Sequence, residues 1–163
     1  LMQAGAHALK LEGVAGNVKF IRHLVESGIP VMGHIGLTLQ MVHTLGGFKV
    51  QGKTQESAIR LKEEALALQE AGCFAIVLEC VPNALGKEIT QSLSIPTIGI
   101  GAGPDTDGQV LVFQDLLGLN IDFTPKFVKK FVNGYEQVKN GVDAFVHAVK
   151  TGAFPQDENC YNN

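Results

Sequence analysis

Two glutamates in this chain sit where glutamate is rarely found. Glu79 ends the apolar run "FAIVLEC" (74–80) and Glu12 ends "HALKLEG" (7–13). A glutamate embedded in apolar sequence is almost never fully buried unless it is paired or coordinated. Lys10 lies two residues before Glu12, so on a strand both side chains share one face. His34 closes a third apolar run, between Gly33 and Gly36. Carboxylate, ammonium and imidazole are groups that hold charge and move protons, and all four fall at the end of a run. Each has a plainer role available: a solvated loop start for either glutamate, a weak local ion pair for Lys10 and Glu12, a structural histidine for His34. Their recurrence at one kind of position favours a shared site. His7, His23, His43 and His147 are scattered and carry no assigned role.

Such a site requires elements that bring the run ends together. Two pieces of the chain repeat: "QAGAHALKLEG" (3–13) matches "EAGCFAIVLEC" (70–80), and "SGIPVMGHIG" (27–36) matches "LSIPTIGIGA" (93–102), in the same order. The runs at 6–12, 30–35, 73–79, 96–100 and 109–113 have the shortness and the Gly or Pro borders of buried strands. Between them, Val18 to Val25, "TQESAIRLKEEALALQEAG" (54–72) and Pro82 to Leu93 read as helices. The longest carries Ile59, Leu61, Ala65, Leu66 and Leu68 on a broad apolar side and stops at Gly72. Lys126 to Lys150 reads as two helical stretches broken near Gly141.

Strands alternating with helices imply a parallel α/β sheet. The candidates are a closed (β/α)8 (TIM) barrel and an open doubly wound sheet, and in both the chemistry lies at the carboxyl ends of the strands. A self-repeating βαβα unit favours the barrel. A barrel typically takes about 250 residues, so a 163-residue chain with five strands holds part of one. The opening "LMQAGAHALKLEG", without an initiator methionine, reads as cut from something longer.

At 45% apolar content and a net charge of −3, the chain is expected to form a single domain over 1–163. It shows no footprint for nucleic acid or an anionic membrane, and no run long enough to span a bilayer. Cys73, Cys80 and Cys160 are odd in number and lack CxxC spacing, which argues against a disulfide framework and for a cytoplasmic setting. "GIGAG" (99–103) lacks the strand-to-helix context of a dinucleotide fingerprint and is expected to be a close-approach turn. "GGFKVQGK" (46–53) is long for a βα loop and suits a lid or a subunit contact.

The ordered motifs "KLEG", "GHIGLT", "GGFKVQGK", "VLECVP", "IPTIGIGAG", "DGQVLV" and "PKFVK" together resemble the ketopantoate hydroxymethyltransferase family over nearly the whole chain. The resemblance implies a (β/α)8 barrel of which this chain carries the last five strands, assembled into homo-oligomers. It implies transfer of a hydroxymethyl group from 5,10-methylenetetrahydrofolate to 3-methyl-2-oxobutanoate, giving 2-dehydropantoate in pantothenate biosynthesis, with Mg²⁺ at the site. By position, Glu79 matches the family's general base, Lys10 a residue that binds the keto acid, Glu12 one counted with the metal, and His34 one beside the substrate. Val14, Leu39 and Gln114 depart from the family pattern. Two aspartates that hold Mg²⁺ in the family lie on earlier strands that the chain does not include. The rival readings are a Mg²⁺-dependent 2-oxo acid carbon–carbon lyase on the same barrel and a catalytically incompetent remnant.

Overall fold

The computed structural model describes residues 1–38, 40 and 47–161. Leu39, His43 and Gly46 lie outside the described residues. The chain divides into two compact units, Leu1–Val110 and Leu111–Asn163.

The first unit follows the expected alternation: β1 (Leu9–Glu12), α1 (Val18–Glu26), β2 (Val31–Gly36), α2 (Gln55–Glu70), β3 (Ala75–Glu79), α3 (Asn83–Ser92), β4 (Thr97–Ile100) and β5 (Gly108–Gln109). All neighbouring strands are parallel, and the sheet order is β1-β2-β3-β4-β5. A doubly wound sheet reverses its strand order at a switch point, and this sheet never does. Consecutive parallel neighbours, joined by helices from β1 to β4 and by a loop from β4 to β5, are the wall of a (β/α)8 barrel, of which the chain carries five strands.

The sheet has two unlike faces. On one, Val31, Ile35, Ile76 and Leu78 form a core with Ile21 of α1, Leu61, Ala65 and Leu68 of α2, and Leu85 and Ile89 of α3. Each valine, leucine or isoleucine among them contributes about 1.5–3 kcal/mol when fully buried. Alternation puts residue 33 on this face too, and it is a glycine because α2 presses on it: a Cβ there would sit 2.6 Å from Leu68 Cδ1. Strand alternation sends Lys10, Glu12, His34 and Glu79 to the opposite face.

Local sequence explains the element ends. Thr54 caps α2, its hydroxyl accepting from the Ser57 N–H while Ser57 Oγ accepts from the Thr54 N–H. At the other end Gly72 takes φ +92°, the Gly72 N–H donates to Gln69 O and the Cys73 N–H to Leu68 O. That double bond around a left-handed glycine is a Schellman stop. Gly28 ends α1 the same way, with bonds from Gly28 to Val25 O and from Ile29 to Leu24 O.

Three expectations are corrected. The fifth strand is only Gly108–Gln109, paired to Ile98 and Gly99; α4 (Phe113–Leu116) begins within the run expected to be a strand. Valine-rich sequence favours a strand only where side chains pack on a pleated surface, and Val110 and Val112 are exposed. In the second unit, α5 (Gly134–Thr151) runs unbroken through Gly141. An interior glycine costs about 1 kcal/mol, too little to divide a helix of 18 residues. On α2, Ile59 and Leu66 are exposed and only Leu61, Ala65 and Leu68 are buried, so its apolar side is narrower than expected.

Candidate active site

The parallel register sets Glu12 beside His34 and Gly36 beside Glu79, so four charged or polar groups from three strands meet at one end of the sheet. Lys10 Nζ donates to His34 Nδ1 at 3.2 Å and lies 3.5 Å from Glu12 Oε1. The same Glu12 oxygen is 3.7 Å from His34 Nδ1, and Glu12 Oε2 accepts from the backbone N–H of Gln40 at 3.0 Å. His34 Nε2 is 3.1 Å from Glu79 Oε2. The result is a continuous chain of contacts, Glu12–Lys10–His34–Glu79. The His34 ring is buried, both carboxylates are mostly so, and the Lys10 side chain is 47% exposed. All four residues singled out in the sequence are thereby brought together.

The backbone around Glu79 is unusually constrained. Its carbonyl accepts from the Leu37 N–H at 2.8 Å. Cys80, the next residue, has φ +50°, the only non-glycine positive φ among the described residues. Such a conformation costs of order 1–3 kcal/mol and persists only where the surroundings over-determine it. Here they do: the Cys80 N–H donates to Ile100 O and its carbonyl accepts from the Gln51 N–H. Gln51 belongs to the glycine-rich connection, whose described part is thus tied to the tip of β3. Gly52, at φ +77°, lets that segment approach Leu61 and Leu85 closely.

Burial, and next the Glu79 charge, push the Cys80 thiol up to about 11. Burial does the same for Cys73. Neither thiol is a nucleophile near neutral pH. The glycines of "GIGAG" form the close-approach turn expected: a Cβ on Gly103 would lie 2.3 Å from Asn83 Oδ1, and the loop leads to β5 and not to a helix.

A cavity of about 400 Å³ opens beside the site, between the turn Gly13–Ala15, the end of β2, and Arg60 and Glu64 of α2. None of the four site residues lines it. Desolvation raises the Glu64 carboxyl above its ordinary value, and Arg60, 3.7 Å away, opposes that in part. Sequence reading missed this cavity, whose one signal was the i,i+4 spacing of Arg60 and Glu64. Val14 is buried in the core and Gln114 lies in α4 of the second unit.

Glu12 is a hard oxygen donor of the kind Mg²⁺ takes, an ion usually held by one or two carboxylates with water or substrate completing the shell. It could supply one ligand. No three His, Cys, Asp or Glu side chains form a complete cage among the described residues. None of the described helices is long and apolar enough to cross a membrane.

Parallel strands whose ends carry carboxylates, a lysine and a buried histidine define a protein of the α/β-barrel class, with these groups at the strand tips, where barrel sites lie. A model of the ketopantoate hydroxymethyltransferase family matches residues 1–157, and the chain belongs to that family. It is 62% identical over 163 residues to the 3-methyl-2-oxobutanoate hydroxymethyltransferase of Coxiella burnetii (strain Dugway 5J108-111). It is 57% identical over 162 residues to the protein of the same name in Francisella tularensis subsp. tularensis (strain SCHU S4 / Schu 4). Each match covers 99% of this chain and 61% of the relative, so the chain spans about three-fifths of the length of the curated relatives it matches.

Proposed function

We propose that this chain supplies the proton-abstracting half of a hydroxymethyltransferase site, acting on 3-methyl-2-oxobutanoate with 5,10-methylenetetrahydrofolate as the one-carbon donor. The observation that carries the reading is the placement of the Glu79 carboxylate at a strand tip, in contact with His34 and on one face with Lys10 and Glu12. The names of the relatives support the reaction type.

The chemistry required is removal of the proton at the carbon next to a ketone. That C–H bond breaks, the proton passes to the Glu79 carboxylate, and the electron pair moves to the carbonyl oxygen as an enolate. Lys10, the most exposed of the four, faces the substrate carboxylate and offsets its charge. Water adds to the folate methylene carbon, both of its C–N bonds break as the water's proton pair passes to the nitrogens, and tetrahydrofolate leaves the carbon at the formaldehyde level. The enolate carbon then bonds to that carbon, and the alkoxide so formed takes back the proton held by Glu79. Mg²⁺ bound at Glu12 would act as a Lewis acid toward the keto acid.

Assembly into a homo-oligomer in the cytoplasm belongs to the same reading. It is supported by the exposed apolar stripe Val138, Val142, Phe145 and Val149 on α5 and by three free cysteines.

The test is hydroxymethyl transfer with Mg²⁺ present, run beside solvent-deuterium exchange at C3 of 3-methyl-2-oxobutanoate without folate. Both are expected, and both should fall in Glu79→Gln. Exchange that is as fast in the variant would remove Glu79 as the base. Neither activity from a folded chain would sink the proposed function for this chain.

A further inference from the structure

The two ring nitrogens of His34 face opposite neighbours. Lys10 Nζ lies 3.2 Å from Nδ1. An ammonium has three donors and no lone pair, so Nδ1 must accept. A neutral imidazole that accepts at Nδ1 carries its proton at Nε2. The tautomer is therefore set by Lys10, whose own place is held by Glu12 3.5 Å away.

His34 is 2% exposed, and Nε2 has no completed hydrogen bond among the described groups. Glu79 Oε2 is nonetheless 3.1 Å from it, close enough but off the N–H line. A buried donor left open is costly, and Glu79 Oε2 is the carboxylate oxygen that faces it. A small turn of the Glu79 carboxylate closes the bond.

We infer that His34 is a positioning residue and not a substrate ligand: Lys10 holds it as the Nε2–H tautomer, and that proton engages Glu79 Oε2, leaving Oε1 to take the substrate proton. The part of this that concerns Oε1 rests on Glu79 being the base. The Lys10–His34–Glu79 arrangement itself does not. With both nitrogens turned to protein groups, the ring orients the carboxylate and offers nothing to the keto acid. The sharply bent backbone at Cys80 serves the same end from the other side, since it fixes where the Glu79 side chain starts.

Two measurements test this. In long-range ¹H–¹⁵N spectra of the unmutated chain near neutral pH, assigned by the signal lost in His34→Gln, we expect a protonated Nε2 and a bare Nδ1. A proton at Nδ1, alone or together with one at Nε2, overturns the inference whether or not the chain turns over substrate. Next, His34→Gln keeps an N–H donor near the Nε2 position, whereas His34→Asn keeps an acceptor near the Nδ1 position only. In hydroxymethyl transfer, His34→Gln should stay within about tenfold of the parent kcat. His34→Asn should lose on the order of 10²-fold or more in kcat, with KM for the keto acid little changed in both. A rise in KM at constant kcat in both variants would make His34 a substrate ligand and overturn the inference. Should the unmutated chain show no transfer, the proposed function fails separately, and the tautomer spectrum still decides the geometry.

Discussion

Gly36 of β2 stands directly beside Glu79 of β3, and a Cβ on Gly36 would come within 2.1 Å of the Glu79 carbonyl oxygen. Gly36 also has φ +94°, a conformation that side chains rarely adopt. The tip of β2 is thus a glycine because the backbone that carries Glu79 needs its space.

The first prediction follows from that contact. Gly36→Ala must both strain its own backbone and displace the carbonyl that Leu37 holds. We expect a loss of at least about 1–3 kcal/mol of stability. A misplacement of about 1 Å at Glu79 should also cost on the order of 10²-fold in transfer. Thermal unfolding and the transfer assay check the two effects separately.

Glu79→Gln keeps size and shape but removes the proton acceptor. Stability should hold within about 0.5–1 kcal/mol while the enolisation rate falls by roughly 10²–10⁴-fold. Deuterium exchange at C3 reads the step without the folate. A variant that exchanges normally would mean that another group takes the proton.

The Glu64 carboxyl, raised by desolvation beside the cavity, makes stability depend on pH. A carboxyl with a raised folded value binds its proton more tightly in the native state than in the unfolded chain. Its favourable contribution is therefore complete below the ordinary value of 4.5 and is lost as pH rises through the raised folded value. Glu64→Gln should raise Tm at neutral pH, and the gain should shrink toward zero near pH 4. A gain that stayed constant down to acid pH would assign the effect to something other than the charge.

The cysteines give a prediction independent of catalysis. With the Cys73 and Cys80 thiols pushed up to about 11, almost no thiolate is present at pH 8, whereas Cys160 is exposed. Iodoacetamide at pH 8 should label Cys160 first in the native chain and all three after denaturation. Rapid native labelling of Cys80, located by peptide mass, would contradict the environment described for the tip of β3.

Much of the site was legible in the sequence because carboxylates at the ends of apolar runs conflict with burial, and such conflicts mark function. The repeat then supplied the strand ends, and period-2 alternation put Lys10 with Glu12. The features that hold Glu79 were not legible. The Gln51 bond to the Cys80 carbonyl and the approach of Gly36 are backbone relations between segments far apart in the chain, the positive φ at Cys80 is a backbone state held by such relations, and side-chain type encodes none of them. The fifth strand was overread because valines were counted without knowing which neighbour would pair with them. The break at Gly141 was overread because a single helix propensity was set against a whole helix. On α2, periodicity puts Ile59 and Leu66 on the apolar side with Leu61, Ala65 and Leu68, whereas which of them a neighbour covers depends on packing that periodicity does not contain.

The division of the sheet into two faces has a consequence for how this gene can change. Lys10, Glu12, His34 and Glu79 occupy alternate positions, and the residues between them fill the helix-covered core. Adding or deleting one codon inside β1, β2 or β3 would exchange the two sets downstream within that strand, burying charge under the helices and presenting Leu11, Ile35 or Leu78 on the opposite face. Length variation among natural versions of this segment should therefore collect in the connections between elements, with the strands themselves varying by substitution alone.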